Sequence, residues 1–308
     1  MIDDVNDDDE ILGLLAEIAA VAPPSALGDD VVESATALRP RGQAIESLGG
    51  GHPADPVTAF VQTMDEFTSV LSEADGWAVV EPYRWSTTQL VAHLLEVDLY
   101  FGRQLGLWEH EIDPALEDDH LGLTEAAVRA AVRADFAETV AKWLEVSASL
   151  RIHITSLDDE QLRRRIKFHM LEARISSLLV VRVFEVWTHI EDLSRSLRRD
   201  PPPLDAARLH LMTRTAVRAI PLGMLLGSID GGDRTARIVL TGRGGGVWNQ
   251  ALQVGAEAGE PSVTIVADAL EFCRLAAQRI PPAELVAEIE GPLDLALTVL
   301  RGASVFAA

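Results

Sequence analysis

Residues 171–197 constrain the fold more than any other segment, because their apolar side chains leave only one narrow polar stripe. The spacing predicts a helix whose apolar residues point in almost every direction. The stripe consists of residues spaced three, four and three apart: Arg182, Glu185, His189 and Asp192. A helix that is apolar nearly all round lies inside a fold. The stripe is therefore either a solvent face with intrahelical ion pairs or part of a buried polar site.

A histidine on a second predicted helix favours the polar site. His93 lies in a mostly apolar part of residues 85–105, where a lone imidazole needs a partner. Glu185 and His189 are four residues apart and share one helix face. Two histidines and a carboxylate form the ligand set of a catalytic zinc site, with one position left for water or substrate. His93, Glu185 and His189 are thus candidate metal ligands. The same set suits iron or nickel, and a satisfied core histidine is the alternative for His93.

Other polar features give weaker signals. Tyr100 follows His93 by seven residues, so it shares that helix face and could contact a ligand, with a core aromatic as the alternative. The glycine-rich residues 242–246 lack the Lys-Ser/Thr pair of a phosphate-binding loop and are predicted to form a turn. Six histidines have no ligand-like companions in the sequence: His52, His110, His120, His153, His169 and His210.

The periodicity divides the chain into an acidic extension and two domains. Residues 1–56 form an acidic N-terminal extension and linker, residues 57–200 a helical domain, and residues 204–308 a C-terminal domain of strands and helices. The predicted bundle helices are residues 57–71, 85–105, 124–157 and 171–197. The predicted strands, rich in β-branched residues, are residues 236–240, 262–267 and 285–289. The predicted fold class is α+β, with an N-terminal four-helix bundle followed by a small α+β domain.

Composition narrows the environment and the partners. The formal net charge of −22 disfavours nucleic acids and anionic membranes as partners. The single cysteine, Cys273, cannot form an internal disulfide, which fits a reducing compartment. The first residues lack the basic region of a signal peptide, and no apolar run approaches the roughly 18 residues of a membrane helix. These features predict a cytoplasmic protein that binds neither nucleic acid nor membranes.

Two segments resemble a known family. They are residues 85–94, Trp-Ser-Thr-Thr-Gln-Leu-Val-Ala-His-Leu, and residues 182–192, Arg-Val-Phe-Glu-Val-Trp-Thr-His-Ile-Glu-Asp. Through them the chain resembles the mycothiol-dependent maleylpyruvate isomerase family, part of the DinB-like superfamily of metal-binding four-helix bundles. The resemblance covers residues 57–200 well and residues 204–308 more weakly. It implies that His93, Glu185 and His189 bind a divalent metal, usually zinc.

The resemblance also implies a reaction and its participants. Zinc lowers the pKa of a bound thiol, so that the thiolate, the actual nucleophile, predominates near neutral pH. The thiolate of mycothiol, or of a similar thiol, would then act on a small electrophilic substrate by isomerisation or S-transfer. Arg182 and Asp192 are expected to orient Glu185 or His189, with surface ion pairs as the alternative.

The resemblance leaves alternatives at the C-terminal domain and for the function as a whole. Arg279 falls where family members have an arginine that binds an anionic group, although an arginine at a helix C-terminus is favourable in any case. Gly291-Pro292 stands where relatives commonly have Gly-Asp, so any role of that aspartate is lost. The rival functions are a metal-binding regulatory or interaction protein without catalysis and an inactive scaffold with a structural metal. The acidic extension is compatible with a homo-oligomer.

Overall fold

The chain folds into two compact units, each with its own core. A computed structural model describes residues 53–168 and 171–304. One unit is Asp55–Pro203, and the other contains the chain from Leu204 onward. The acidic extension predicted for residues 1–56 lies, up to residue 52, outside the described residues. The first unit is helical and the second combines a sheet with helices, so the predicted α+β fold class is confirmed. None of the helices in the described ranges is long and apolar enough to cross a membrane.

The first unit is the predicted four-helix bundle, with two short hairpins added. Its elements are α1 Pro56–Leu71, β1 Val79–Val80, β2 Trp85–Ser86, α2 Thr87–Leu105, α3 His120–Ala130, α4 Phe136–Ser156, α5 Asp159–Leu162, β3 Arg165–Phe168, β4 Leu171–Arg174 and α6 Ile175–Ser196. The four long helices are α1, α2, α4 and α6. Helix α1 packs along α6, and α2 packs along α4. Helix α6 is buried on nearly all sides, as its apolar residues predict.

A capping box fixes the start of α2, the helix that carries His93. The Ser86 hydroxyl accepts the backbone N–H of Gln89 at 3.2 Å, and the Gln89 side chain accepts the backbone N–H of Ser86 at 2.9 Å. The box pairs two N–H groups that a helix start otherwise leaves without partners. Helix α2 ends at Gly106, which has a φ of 81° and so adopts the left-handed conformation that favours glycine.

The single helix predicted for residues 124–157 is wrong, because two local caps divide this part of the chain. Helix α3 begins earlier, at His120, where the side chain of Asp119 caps it. Helix α4 begins after Asp135, whose carboxylate accepts the backbone N–H of Glu138 at 2.9 Å. An aspartate that caps a helix satisfies N–H groups at its first turn and thereby favours a new helix start over a continuous helix.

A β-hairpin precedes α6, where the sequence pattern predicted a helix from residue 171. Strands β3 and β4 pair antiparallel, with Arg165 opposite Arg174. The backbone N–H of Ile175 donates to the carbonyl of Arg164 at 3.1 Å. The helix therefore begins at Ile175, directly after the hairpin. This connection holds the start of α6 close to the end of α5.

The second unit is a four-stranded sheet with three helices. Its elements are α7 Ala206–Leu226, β5 Thr235–Thr241, β6 Gly246–Ala251, β7 Pro261–Asp268, α8 Ala269–Ala276, β8 Ala287–Glu290 and α9 Leu293–Ala303. The strand order is β6-β5-β7-β8; β5 and β7 are parallel, and the other neighbours are antiparallel. The three predicted strands are present, but β6 was missed because glycine, asparagine and glutamine are uncommon in strands. The glycine-rich residues 242–246 form the predicted turn, with φ of 83° at Gly242 and 72° at Gly244.

The contact between α7 and α9 in the second unit requires glycine at position 302. A Cβ added to Gly302 would lie 2.3 Å from Met224 Cγ and 3.1 Å from the carbonyl oxygen of Ile220. Alanine favours a helix over glycine by about 1 kcal/mol, but overpacking a core costs about 1–3 kcal/mol. We therefore expect Gly302→Ala to lower the free energy of unfolding by about 1 kcal/mol or more, measured by denaturant titration.

Gly259→Ala is the matched control for this prediction. Gly259 is exposed, and an added Cβ would meet only Thr235 Oγ1, at 3.9 Å. We expect its effect on the free energy of unfolding to stay within about 0.5 kcal/mol. If Gly302→Ala were as stable as Gly259→Ala, the close approach of α7 and α9 would not limit the residue at position 302.

Candidate metal centre

The three ligands predicted from the sequence meet between α2 and α6. His93 lies on α2, and Glu185 and His189 lie one turn apart on α6. One donor atom from each residue lies within 4.8 Å of the other two. The ring centroids of His93 and His189 are 5.3 Å apart. Both histidines are buried, and the side chain of Glu185 is only 9% exposed. Two facing helices thus bring two imidazoles and one carboxylate to the same buried point.

The donor atoms that face one another are buried without hydrogen-bond partners among the described residues. They are Nε2 of His93, Oε1 of Glu185 and Nε2 of His189. Nε2 of His93 and Oε1 of Glu185 lie 3.1 Å apart, but their arrangement does not form a well-aligned hydrogen bond. Each buried polar atom without a partner costs about 1–3 kcal/mol. A single cation bound by all three atoms would remove this cost, so the residues fit a divalent metal ion.

The other ring nitrogen of each histidine contacts an oxygen atom. Nδ1 of His93 lies 3.2 Å from Oγ1 of Thr124 on α3. Nδ1 of His189 lies 3.4 Å from Oδ2 of Asp192, one turn further along α6. A carboxylate only accepts, so Asp192 favours the His189 tautomer with its proton on Nδ1, which leaves the Nε2 lone pair for a metal. The Thr124 hydroxyl can accept from Nδ1 of His93 in the same way. Asp192 is 1% exposed, so the alternative that placed it in a surface ion pair is wrong.

Arg182 contacts the second carboxylate oxygen of Glu185 and joins it to a residue that the sequence analysis missed. Its Nη1 donates to Oε2 of Glu185. Its Nη2 donates to Oδ1 of Asp98 on α2 at 2.7 Å. Oδ2 of Asp98 accepts the indole N–H of Trp143 on α4 at 3.0 Å. Arg182, Asp98 and Trp143 are fully buried, so a surface ion pair is also wrong for Arg182. An aspartate in an apolar helix run was the signal that could have indicated Asp98.

Burial and neighbouring charges set the protonation states of the site. Burial lowers the pKa of His93, although the contact with Glu185 and its negative charge oppose this effect. Burial alone would raise the pKa of Glu185, but the charge of Arg182 and the contact with His93 hold that pKa well below its usual range. Burial raises the pKa of Asp98 despite the attraction of Arg182. His93 is therefore neutral and Glu185 ionised near neutral pH, as metal binding requires.

The rings of Trp85 and His120 border His93, and neither residue was predicted to be part of the site. The Trp85 ring lies 5.4 Å from the His93 ring between centroids, and Tyr83 stacks on Trp85 at 4.5 Å. The His120 ring lies 6.2 Å from the His93 ring. Burial lowers the pKa of His120 to about 4, so this ring is neutral near pH 7. His120 was predicted to have no ligand-like companions; α3 begins at His120 and places its ring beside His93, but His120 does not belong to the three-donor group.

Tyr100 and Arg279 were the other two candidate site residues, and they lie in different units of the fold. The Tyr100 hydroxyl donates to the carbonyl of Glu117 at 3.2 Å, and its ring lies 5.5 Å from the Phe168 ring. Tyr100 is fully buried, which fits the core-aromatic alternative. Arg279 lies in the second unit, in the turn after α8, and donates to the carbonyl of Ala277 at 3.0 Å. Its role in binding an anionic group stays a prediction.

The fold and the donor set define a four-helix bundle with a candidate metal centre, a common place for such sites. Residues 57–194 match the family model described as the mycothiol maleylpyruvate isomerase N-terminal domain. The bundle therefore matches this domain family, and the resemblance predicted from the sequence is confirmed for these residues.

One solved structure agrees with the fold beyond the bundle. The chain is similar to a crystal structure of the mycothiol-dependent maleylpyruvate isomerase, with 14% identity and a TM-score of 0.51 over 76% of this chain and 91% of that chain. A histidine-to-alanine mutant of that isomerase matches with 13% identity and a TM-score of 0.49 over the same shares. At such identity the likeness of the first structure shows the fold alone. No curated protein matches the chain.

The buried position of Arg182 predicts a large effect of its removal. Arg182→Met would keep an apolar stem of similar length but leave the carboxylates of Asp98 and Glu185 buried without their shared cation. Removing one partner of a buried ion pair typically costs about 3–5 kcal/mol. We expect a loss of that size in the free energy of unfolding of the metal-free protein, measured by denaturant titration.

Arg129→Met is the control in the same unit. Arg129 on α3 pairs with Glu125 at 3.0 Å, and both side chains are 70% exposed. An exposed ion pair contributes only about 0–1 kcal/mol, so this variant should unfold nearly as the wild type does. Equal losses in the two variants would contradict the assignment of Arg182 as the shared buried cation.

Proposed function

We propose that the chain is a metal-dependent enzyme that uses mycothiol, or a similar low-molecular-weight thiol, to isomerise a small electrophilic substrate, with zinc as the metal. The observation that carries the proposal is the set of three buried donor atoms without partners, from His93, Glu185 and His189. The match of residues 57–194 to the mycothiol maleylpyruvate isomerase domain family supports the choice of thiol and reaction.

The residues around the donors suit this chemistry. A divalent metal bound there would lower the pKa of a coordinated thiol, so that thiolate forms near neutral pH. His93 and His189 would present their Nε2 lone pairs, because Thr124 and Asp192 contact the opposite ring nitrogens. Glu185 would add one negative charge. Three protein ligands leave a position for the thiol, whereas a structural zinc site normally has four protein ligands.

The proposed reaction follows from the nucleophilicity of a thiolate. Addition of the sulfur to one carbon of a conjugated C=C bond turns that bond into a single bond, with the electron pair delocalised into the adjoining carbonyl. Rotation about the single bond and loss of the thiolate then restore the C=C bond in the other geometry. The thiol is regenerated, and no oxidant or reductant is consumed. S-transfer, the alternative reaction, would stop at the protonated adduct.

Zinc binding tests the metal part of this proposal. Metal-free protein should bind about one equivalent of Zn²⁺, as expected for a single three-ligand site. At free zinc 100-fold above Kd, the free energy of unfolding should rise by about 2.7 kcal/mol. His189→Ala removes one of three donors and should weaken binding at least about 100-fold, measured by competition with a chromophoric chelator.

The control for zinc binding is His153→Ala. His153 lies on α4, and its Nε2 is also buried without a hydrogen-bond partner, but it does not belong to the three-donor cluster. Its replacement should leave the zinc affinity unchanged. Substoichiometric zinc in the wild type, or full occupancy in His189→Ala, would contradict the metal assignment.

Product analysis tests the reaction. Zinc-loaded protein is incubated with mycothiol and cis-configured unsaturated keto acids, maleylpyruvate among them, and the products are followed by NMR. We expect cis–trans isomerisation that requires the thiol, and a loss of at least about 100-fold in rate for Glu185→Gln, which removes the ligand's charge. The His153→Ala variant should keep the wild-type rate.

The outcomes of this experiment separate the candidate functions. Accumulation of a thiol adduct without isomerisation would replace the isomerase by an S-transferase. Stoichiometric zinc binding without thiol-dependent turnover across the panel would favour the regulatory or interaction protein predicted as the alternative.

A further inference from the structure

The carboxylate of Glu185 has two oxygens with separate surroundings. Oε1 faces the two histidines and has no hydrogen-bond partner, whereas Oε2 accepts from Arg182. A ligand carboxylate binds well only when its rotamer is held, because an unbound glutamate side chain populates many conformations. Arg182 therefore determines which oxygen of Glu185 is presented to the site.

Arg182 needs a second anchor to hold Glu185 in this way. Its side chain is long and flexible, and its Nε has no hydrogen-bond partner. The second anchor is Asp98, which accepts from Nη2 at 2.7 Å across the gap between α2 and α6. Because Nη1 donates to Glu185 and Nη2 donates to Asp98, the planar guanidinium has a fixed orientation.

Asp98 is itself held in place by a hydrogen bond from a residue of α4. Its Oδ2 accepts the indole N–H of Trp143 at 3.0 Å. The Trp143 ring packs edge-on against Phe67 of α1, with centroids 5.2 Å apart. The four residues from Trp143 through Asp98 and Arg182 to Glu185 thus form a continuous hydrogen-bonded chain from α4 through α2 to α6. We call it the Asp98 relay.

The charges in the Asp98 relay also suit a metal. Arg182 carries one positive charge and is shared by the carboxylates of Asp98 and Glu185. Ionised, these three groups carry a net charge of −1 in a buried place, where uncompensated charge is costly. A divalent cation next to Glu185 offsets that charge, and the neutral histidines supply the remaining donor atoms.

From this geometry we infer that Asp98 is a positioning residue of the metal site, which acts through Arg182 to hold Glu185 in the orientation that binds the metal. The inference rests on the proposed function, because it assumes that Glu185 is a metal ligand. It assigns a role in that function to Asp98 on α2, which is not one of the three candidate donors. Partners of metal ligands typically change metal affinity by 10–100-fold when they are replaced.

The experiment compares amide substitutions at two positions of α2. Asp98→Asn keeps the shape of the side chain but removes its charge and one acceptor. Glu96→Gln is the matched control, because Glu96 lies two residues earlier and pairs with His110 at 2.6 Å outside the relay. Zinc affinity is measured on metal-free proteins by chelator competition. We expect Asp98→Asn to bind zinc about 10–100-fold more weakly, and Glu96→Gln to stay within about twofold of the wild type.

Two further measurements separate positioning from a purely structural role. The affinities are determined well below the thermal midpoint of each metal-free variant. The visible absorption of bound Co²⁺ reports the coordination geometry. It should change in Asp98→Asn but not in the control Glu96→Gln. Trp143→Phe keeps the aromatic packing and both charges but removes the N–H donor. This variant should bind zinc several-fold more weakly, and it decides the question if Asp98→Asn does not fold.

The outcomes of the positioning test differ from those of the metal test. A wild-type protein without zinc would refute the proposed function, and this inference with it. A wild type that binds zinc, with Asp98→Asn and Trp143→Phe within twofold of it, would overturn the inference and leave the proposed function intact. If these variants had a lower thermal stability but an unchanged zinc affinity and Co²⁺ spectrum, the inference would also be overturned. The Asp98 relay would then stabilise the packing of the helices without affecting the metal site.

Discussion

The sharing of one buried guanidinium by two carboxylates is the interaction on which the rest of the bundle site depends. Arg182, Asp98 and Glu185 are removed from water, and each would be costly there without the others. A buried ion pair is weak evidence for stability, because an apolar core of the same volume is often as stable or more so. Apolar residues at these positions could not hold a charged carboxylate oxygen toward two imidazoles. The stability cost of the buried charges is therefore best explained by the site that they form.

The same constraint explains the composition of α6. A helix with charged residues on one stripe normally turns that stripe to solvent, and its opposite face packs inward. Here the stripe faces α2, while the remaining apolar surface packs against α1 and the hairpins. Both sides are buried, so most of the helix outside the site is apolar, with Thr188, Glu191 and Ser194 as further buried polar residues. The mostly apolar surroundings of Glu185 and His189 are thus a consequence of placing a polar site inside the bundle.

The sequence predicts those residues of the site that stand out by their helical spacing or as polar residues in apolar segments. Glu185 and His189 share a face because they are four residues apart, and His93 stood out as an imidazole in an apolar run. Asp98 could not be joined to Arg182 in this way, because 84 residues separate them and only the folded bundle brings the two side chains within hydrogen-bond distance. His120 was missed for a local reason. Its helix begins through capping by Asp119, which helical periodicity does not reveal.

The C-terminal unit shows where this chain departs from its relatives. The resemblance places an aspartate after the glycine at position 291, whereas this chain has Pro292. Gly291 has a φ of 111°, and an added Cβ would lie 3.0 Å from the carbonyl oxygen of Ser262 in β7, so this position requires glycine. Pro292 then occupies the residue before the first turn of α9, where its fixed φ is tolerated. Proline therefore fits the start of α9 but brings no carboxylate, so no acid is available at position 292. His93, Glu185 and His189 all belong to the bundle, so the candidate donor set does not include this position.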